Sequence, residues 1–377
     1  MNIVTKIKQL IEELCPNGIG YKELQDILTI KNGSDYKNLG EGDFPVYGSG
    51  GIMTYVDRFA YDKPSVLIPR KGSIDKLYYV DTPFWNVDTI FYTEINTDVA
   101  IPKFVFYCLQ KQHLEELNTA GGVPSLTQKV LNKVKIPVPP LPVQEEIVRI
   151  LDTFTELTTE LTTELTTRKQ QYEHYTYQLL NFDDTVQTHQ LRELIDFRNG
   201  KGHEKDIVSD GKYIVVNSKF ISTNGEVKKY SNKQICPLFV DDILMVMSDL
   251  PNGRALAKCF LVAEDDKYTL NQRIGAFHVK DESVIKTKFL LYVLNRNQQL
   301  LKYDNGVDQT NLRKDDILDI MIPVPSIEEQ ERIVAILDRF DTLCNDIFEG
   351  LPAEIEGRRK QYEYYRDKLL TFKELSK

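Results

Sequence analysis

The sequence of 377 residues lacks long apolar segments and paired cysteines. No run of 18 apolar residues occurs, and the N-terminal segment is too charged for a signal peptide, so we expect no membrane association. The five cysteines are scattered and never form a C-x-x-C pair. Such a pattern is typical of free thiols in a reducing compartment. The sequence therefore predicts a cytoplasmic protein.

Motifs of catalysis are missing as well. The G-x-x-x-x-G-K-[ST] loop that binds ATP, the N-P-P-Y or D-P-P-Y motif of adenine methyltransferases and the G-x-S-x-G motif of hydrolases do not occur. The five histidines show no metal-ligand spacing. We therefore predict that the chain is not an enzyme and holds neither a metal nor a cofactor of its own.

The chain also lacks an excess of positive charge. Its formal net charge is −9, which excludes the simplest kind of nucleic-acid-binding protein, one that is basic throughout. The acidity is local, however. Residues 136–185 hold 3 basic and 9 acidic residues, whereas residues 186–321 hold 20 and 19.

The sequence does contain an internal duplication. IPVPPLPVQEEIVRILDTF (136–154) matches IPVPSIEEQERIVAILDRF (322–340), and RKQQYEHYTYQLLNF (168–182) matches RRKQYEYYRDKLLTF (358–372). Weaker similarity links LQDILTIKNG (24–33) to LRELIDFRNG (191–200). These matches predict two similar units related by a pseudo-twofold axis.

Each shared block begins with a proline-rich extended segment and continues with apolar residues every three or four positions, which predicts a long helix. Forty residues of helix span about 60 Å. Gly350 and Pro352 predict a kink or a restart in the second copy. We expect the two helices to pack against each other through Ile150, Phe154, Leu157, Leu161, Leu165, Tyr172, Leu179, Ile336, Phe340, Leu343, Ile347, Tyr362 and Leu369.

A smaller repeat lies in the middle of the first helix, where residues 155–166 spell TELT three times. Leucines four residues apart drift by about 40° around a helix, so three of them still fit one apolar stripe. The plain interpretation is a solvated helical spacer. Such a spacer sets a distance, because each four-residue unit adds about 6 Å.

The two variable halves, 18–135 and 186–321, contain short β-rich runs separated by Gly, Pro, Asn and Asp, which predicts mixed, mainly antiparallel sheets. Helices are expected near 103–118 and 286–301. Basic and hydroxyl side chains in the turns have the chemistry to contact phosphates and bases, although they also fit ordinary solvated turns. These candidates are Lys31, Ser49, Arg70, Lys71, Ser73, Arg198, Lys201, Ser218, Lys219 and Arg254.

Over nearly its whole length the chain resembles the specificity (S) subunit of Type I restriction-modification systems. The resemblance is carried by LCPNGIGYKEL (14–24), by the two IPVP…QE-x-IV-x-ILD blocks and by the matching tyrosine-rich segments. It implies an α+β fold in which two β-rich target recognition domains are separated by two long antiparallel helices. The implied segments are 1–135, an N-terminal helix and the first recognition domain; 136–185, a conserved region with the first spacer helix; 186–321, the second recognition domain; and 322–377, a conserved region with the second spacer helix.

The resemblance also implies function and partners. Each domain would recognise one half of a bipartite site in double-stranded DNA, and the helices would set the gap and dock two methyltransferase (M) subunits. S-adenosylmethionine, ATP and Mg²⁺ are expected on the M and restriction (R) subunits. Two alternatives stay open, namely the DNA-recognising part of a single-chain restriction-methylation enzyme and a coiled-coil adaptor unrelated to DNA.

Overall fold

A computed structural model describes residues 3–118, 125–251, 254–346 and 349–375. The chain divides into two compact units, Met1–Glu164 with Pro352–Lys377, and Leu165–Leu351. The unit boundaries fall inside the two long helical regions, so they cut across the four segments expected from sequence. Among the described helices, none is both long and apolar enough to span a membrane.

The first unit starts with a helix and then alternates short strands with short helices, and the first long helix follows it. In chain order these elements are α1 (Ile3–Leu14), β1 (Tyr21–Glu23), β2 (Leu28–Asn32), β3 (Phe44–Gly48), β4 (Gly51–Val56), β5 (Ser65–Pro69), β6 (Tyr78–Val80), β7 (Trp85–Asn86), β8 (Ile90–Ile95), α2 (Pro102–Lys111), α3 (Gln128–Leu131), β9 (Lys135–Pro137) and α4 (Leu141–Leu180). Two 3-10 turns, Leu24–Asp26 and Leu114–Leu117, lie between them.

The second unit repeats much of this order, with additional short strands and helices. Its elements are β10 (Thr188–Gln190), α5 (Leu191–Leu194), β11 (Ile195–Asn199), β12 (Ile207–Val208), β13 (Tyr213–Val216), α6 (Ser218–Ser222), β14 (Tyr230–Ser231), β15 (Ile243–Val246), β16 (Ser248–Asp249), β17 (Cys259–Leu261), β18 (Tyr268–Leu270), β19 (Ile274–Val279), α7 (Thr287–Leu294), α8 (Gln298–Leu301), β20 (Thr310–Asn311), α9 (Lys314–Leu318), β21 (Met321–Pro323) and α10 (Ile327–Asn345). The last helix, α11 (Leu351–Leu369), belongs to the first unit apart from its first residue.

Each unit is built on a four-stranded antiparallel sheet, in the order β2-β8-β5-β6 in the first and β11-β19-β15-β17 in the second. A second sheet adjoins each one, with three strands in the first unit and four in the second, and contains one parallel pair, β3 with β7 and β13 with β18. The central strands β5 and β15 are buried along their whole length, as their continuous apolar sequences require. The prediction of mixed, mainly antiparallel sheets is thus confirmed.

The duplication is confirmed in strand pairing. In the first unit β1 pairs with β9, which contains the start of the I-P-V-P segment, and Tyr21 lies opposite Pro137. In the second unit β10 pairs with β21 in the same way, and Thr188 lies opposite Pro323. Proline fits here because each of these sheets has only two strands, so its missing N–H removes no bond from a central strand. Both proline-rich segments therefore join a variable half to its long helix.

The long helices differ in continuity. Helix α4 is unbroken over 40 residues, whereas the second helical region stops at Asn345 and restarts at Leu351. Gly350 packs closely on the end of α10, where a Cβ would lie 2.3 Å from the carbonyl oxygen of Thr342. Pro352 then lies in the first turn of α11, where a missing N–H costs nothing. The predicted interruption is confirmed.

Within each unit the first part of one helix packs against the last part of the other. The Phe154 and Tyr365 rings stack 5.2 Å apart in the first unit, and Tyr172 and Phe340 stack 6.0 Å apart in the second. Among the predicted packing residues, Ile150 and Leu369 are buried; Leu161, Leu165, Leu179, Ile336 and Tyr362 are half-buried; and Ile347 lies outside the described residues.

Two predicted packing residues are exposed instead. Leu157 is 39% exposed and Leu343, its counterpart in the duplication, is 37% exposed. The expectation that all these leucines share one buried stripe is therefore wrong. Leu161 and Leu165, which follow Leu157 at four-residue steps, are half-buried, so the drift of about 40° per step carries the leucines towards the seam after Leu157.

One β-rich run differs from the expectation of a single strand. KYIVVNSKFI (212–221) reads as one strand, but β13 ends at Val216 and α6 follows. Asn217 caps this helix, because its side chain accepts a hydrogen bond from the Phe220 N–H at 2.9 Å. Ser218 and Lys219 consequently lie on a helix and not in a turn.

Candidate nucleic-acid interface

Loops from several strands meet at one end of the first unit's main sheet, which we call the first pole. Strands β2 and β5 end there and β8 begins there, because Asn32 and Ile68 both pair with Phe91. The first pole is formed by the loops after β2, after β5 and before β8, and by the tip of the β3–β4 hairpin. Four of the five candidates from this half, Ser49, Arg70, Lys71 and Ser73, lie in these loops.

The hairpin tip is fixed to the pole by hydrogen bonds. The Ser49 N–H donates to the Thr89 hydroxyl at 3.3 Å, and the Tyr78 hydroxyl donates to the Ser49 carbonyl at 3.2 Å. A Cβ on Gly72, which has a φ of +77°, would lie 3.4 Å from the Ser49 hydroxyl oxygen. The tip and the loop after β5 are therefore neighbours.

Arg70 is held in place by its own neighbours. Its guanidinium lies over the Phe91 ring, 5.0 Å from the centroid, and donates to the Asn32 side-chain oxygen at 3.5 Å. Its Nε is buried and makes no hydrogen bond in the described structure. Stacking of this kind fixes the plane of an arginine side chain. The adjacent Lys71 reaches Asp88 at 3.8 Å and is half exposed.

A second pole occupies the same end of the second unit's sheet. It consists of the loops after β11, after β13 and after β15, and the loop before β19. Lys201 forms a bridge with Asn271, whose N–H donates to the Val216 carbonyl at 3.1 Å. That contact brings Lys201 close to the start of α6, where Ser218 and Lys219 lie. Arg254 is exposed in the loop that leaves the same end of β15 and β16.

Two close backbone approaches hold these poles in the same shape. A Cβ on Gly33 would lie 2.2 Å from the Val87 carbonyl oxygen, and a Cβ on Gly200 would lie 1.9 Å from the Asn271 carbonyl oxygen. Only glycine fits at either position. Both glycines end the N-G dipeptide that the two variable halves share, so the sequence similarity has a structural cause.

Arg198 and Lys31 occupy equivalent positions on β11 and β2, and both side chains are ion-paired on the sheet. Arg198 pairs with the fully buried Asp242, which lies before the start of β15 at the end opposite the pole, and it also donates to the Pro237 carbonyl at 2.9 Å. Lys31 reaches Glu94 at 3.4 Å. The pair with Asp242 therefore holds the Arg198 guanidinium away from the pole loops, whereas Lys31 is half exposed one residue before the end of β2.

Sequence reasoning missed polar residues that the fold adds to the poles. Gln128, at the start of α3, donates to the Ile30 carbonyl at 3.2 Å. Lys314 begins the matching helix α9 and lies 5.4 Å from the centre of the Phe197 ring. Arg313 precedes it, and Arg273 is exposed in the loop before β19. The similar segments GGVPSL (121–126) and NGVDQTNL (305–312) precede α3 and α9, but residues 119–124 lie outside the described structure.

Each variable half is joined to its long helix by the same three side chains. The Lys103 ammonium lies 2.8 Å from Asp152, which also accepts a hydrogen bond from the Tyr107 hydroxyl. In the second unit Asp338 accepts from Lys288 at 2.7 Å and from Tyr292 at 2.6 Å. Burial, reinforced by the aspartate hydrogen bond, raises the pKa of both tyrosines. We call each set a clamp.

A buried glutamine supports each clamp. The Gln144 side chain accepts from the Ile101 N–H at 2.9 Å and donates to the Val99 and Pro139 carbonyls at 3.0 and 2.7 Å. Gln330 makes the equivalent three bonds at 2.8, 3.0 and 2.9 Å. Both glutamines are fully buried. Each unit therefore presents its pole from a defined position on a long helix.

Comparison with known families identifies the family to which this duplicated chain belongs. The family model described as Type I restriction modification DNA specificity domain matches residues 16–168 and again residues 183–357. The chain belongs to this family. Its two matches fall on the two copies of the duplication. As specificity subunits, members of the family are non-catalytic, and catalysis is carried out by partner subunits. No group of three or more potential metal ligands occurs among the described residues.

Relatives and solved structures agree with the family. A putative type I restriction enzyme specificity subunit of Haemophilus influenzae is 30% identical over 88% of this chain and 89% of its own length. The specificity subunit of a type I restriction enzyme of Escherichia coli is 33% identical over 74% of this chain and 73% of its own. The crystal structure of an S subunit from M. genitalium shares the fold, with a TM-score of 0.60, 16% identity, and 94% and 96% coverage of the two chains.

Proposed function

We propose that this specificity subunit recognises a bipartite, asymmetric site in double-stranded DNA, with one pole on each half-site. The observation that carries the proposal is that the same arrangement of strands and loops forms a pole in each unit, with different polar side chains. We call this shared arrangement the frame. The shared glycines Gly33 and Gly200 keep the frame, whereas the loops after β5 and β15 carry different residues. Two frames with different side chains suit two different base sequences.

The cations of the pole loops give the phosphate contacts of this proposal. Lys71 and Arg70 serve the first half-site, and Lys201, Lys219 and Arg254 serve the second. Phosphate contacts position a protein on DNA, and bases are distinguished by contacts in the grooves. Arg198 has a structural part in this scheme, because the fully buried Asp242 already neutralises it.

The second part of the proposal concerns the long helices, which set the gap between the half-sites and dock two M subunits. Two copies of one partner need the same contact twice. Leu157 and Leu343 supply such a pair, since they are equivalent in the duplication and similarly exposed, at 39% and 37%. Exposed leucines at matched positions on two helices suit a repeated apolar contact.

The charge distribution of this chain implies that partner subunits supply most of the electrostatic attraction to DNA. The region of the first long helix is acidic, and the variable halves are nearly neutral, so this chain alone attracts DNA weakly. The M subunits, with S-adenosylmethionine, supply both basic surface and methylation, and the R subunits supply ATP- and Mg²⁺-dependent cleavage. The complex acts in the cytoplasm.

The decisive experiment exchanges one variable half. Residues 18–135 are replaced by the corresponding segment of a relative with another specificity, and methylated adenines are mapped across the genome. One half-site changes, while the other half-site and the gap stay the same. A change in both half-sites, or methylation without sequence preference, contradicts the proposal.

A point variant tests the phosphate contacts separately. In the complex with M subunits, Lys71→Ala makes the negative slope of log affinity against log salt shallower by about one, equally for any DNA sequence. Lys368→Ala, a lysine on α11 outside both poles, is the control and leaves the slope unchanged. An unchanged slope for Lys71→Ala removes this residue from the interface.

A further inference from the structure

The β3–β4 hairpin of the first unit exposes apolar side chains next to the first pole. Ile52 is 50% exposed and Met53 is 57% exposed, and both follow directly after the hairpin tip. Val46, Val56 and Val87 of the same small sheet form a buried cluster to which neither residue belongs. The exposed pair therefore does not belong to the core.

These two residues lie at a β-bulge in the hairpin. Val46 pairs with Thr54 and Tyr47 pairs with Ile52, so Met53 is the extra residue and has no partner across the hairpin. Bulges redirect side chains and are common beside functional sites. Strand β4 is also the edge strand of its sheet, so nothing in the described sheet lies beyond it.

A missing side chain on the neighbouring strand makes room for the methionine. A Cβ on Gly48 would lie 2.6 Å from the Met53 sulfur, so the thioether crosses the hairpin at this glycine. The apolar surface thus extends across both strands, close to Ser49, whose backbone is bonded to Thr89 and Tyr78 of the pole. Apolar atoms and the cations of the loop after β5 lie on the same part of the unit.

We propose that Ile52 and Met53 contact the 5-methyl groups of thymines in the major groove of the first half-site. This inference rests on the proposed function and names two residues that determine its specificity. A two-stranded β-ribbon fits the major groove, and the thymine methyl is the apolar feature of that groove. The position of the hairpin tip within the pole favours DNA over a protein partner.

The test compares the double variant Ile52→Ala/Met53→Ala with the unaltered chain, each in the complex with M subunits. Binding to a duplex with the mapped site weakens about tenfold, and binding to unrelated DNA stays the same. A second duplex carries deoxyuridine in place of every thymine of the first half-site. The unaltered chain loses about the same factor on it, whereas the double variant loses nothing further.

Leu14→Ala is the matched control, because Leu14 is 45% exposed in the same unit but lies on α1. If the unaltered complex shows no sequence preference, the proposed function fails. If it is specific but the double variant binds as Leu14→Ala does, only the thymine contact is wrong. Failure of the double variant to assemble with M subunits, measured by sedimentation, makes the hairpin a protein-docking surface and overturns the inference.

Discussion

The hydroxyl of Tyr107 donates a hydrogen bond to the carboxylate of Asp152, and this bond joins α2 to the long helix α4. The tyrosine is almost fully buried, at 1% exposure, so the aspartate is the partner that its hydroxyl requires. Tyr292 and Asp338 make the same contact at 2.6 Å in the second unit. The duplication therefore preserves the joint between each variable half and its helix.

Loss of Asp152 weakens that joint. Asp152→Ala leaves the Tyr107 hydroxyl without its acceptor and Lys103 without its ion pair, which costs about 1–3 kcal/mol of unfolding free energy. Urea denaturation measures this loss, and native-state hydrogen exchange shows it as lower protection in α2. The half-site assigned to the second unit keeps its methylation.

Two variants serve as controls for the clamp. Glu156→Ala changes an exposed carboxylate one turn further along α4 and leaves protection in α2 unchanged. Asp338→Ala lowers protection in α7 and not in α2. Equal effects of the two aspartate variants on both helices would contradict independent clamps.

The sequence predicts the parts of this fold that depend on periodicity and local backbone chemistry. The three-and-four spacing of apolar residues predicts the long helices, and Gly350 with Pro352 predicts the interruption that separates α10 from α11. The shared N-G dipeptides mark the ends of β2 and β11, and the structure places Gly33 and Gly200 directly after these strands. These features hold because neighbours along the chain decide them.

The candidate site was less predictable, because it depends on contacts between distant residues. Arg198 matches the composition of a DNA-binding turn, but Asp242, 44 residues away, takes its guanidinium. Ile52 and Met53 look like ordinary strand residues until the bulge opposite Tyr47 exposes them. Pairing register and ion pairs of this range have no signal in a single sequence.

The ion pairs of Glu146 predict a dependence of stability on pH. Its carboxylate accepts hydrogen bonds from Arg149 at 2.6 and 3.0 Å and from Lys6 of α1 at 2.8 Å. These bonds, with Arg149 the larger cause, lower the pKa of Glu146 from 4.5 to about 2. Because the folded-state pKa is the lower one, ionised Glu146 stabilises the protein above pH 4.5, and this contribution disappears as the pH falls towards 2.

Glu146→Gln isolates this effect. The variant is less stable than the unaltered chain at pH 7, and the difference between their urea midpoints shrinks as the pH falls below 4.5. Glu145→Gln, at the exposed neighbouring position, shows no such convergence. A constant difference between pH 7 and pH 3 rules out the lowered pKa as its source.

The TELT segment lies wholly within the unbroken helix α4, so its length is expressed directly as helix length. Its threonine side chains bond to their own helix, as when the Thr159 hydroxyl donates to the Thr155 carbonyl at 2.9 Å. Deleting residues 159–162 removes one repeat and shortens the helix by about 6 Å, close to two base pairs of DNA. We expect methylome sequencing to show both half-sites intact and the gap shorter by one or two base pairs.

The control keeps the length and changes the chemistry. Thr159→Ala with Thr162→Ala removes two hydroxyls from the same repeat and raises helix propensity, so α4 stays helical and the gap stays the same. A spacer acts through its length alone, and the two variants therefore separate length from composition. If the alanine variant shifts the gap, or if the deletion leaves it unchanged with full activity, α4 does not set the spacing.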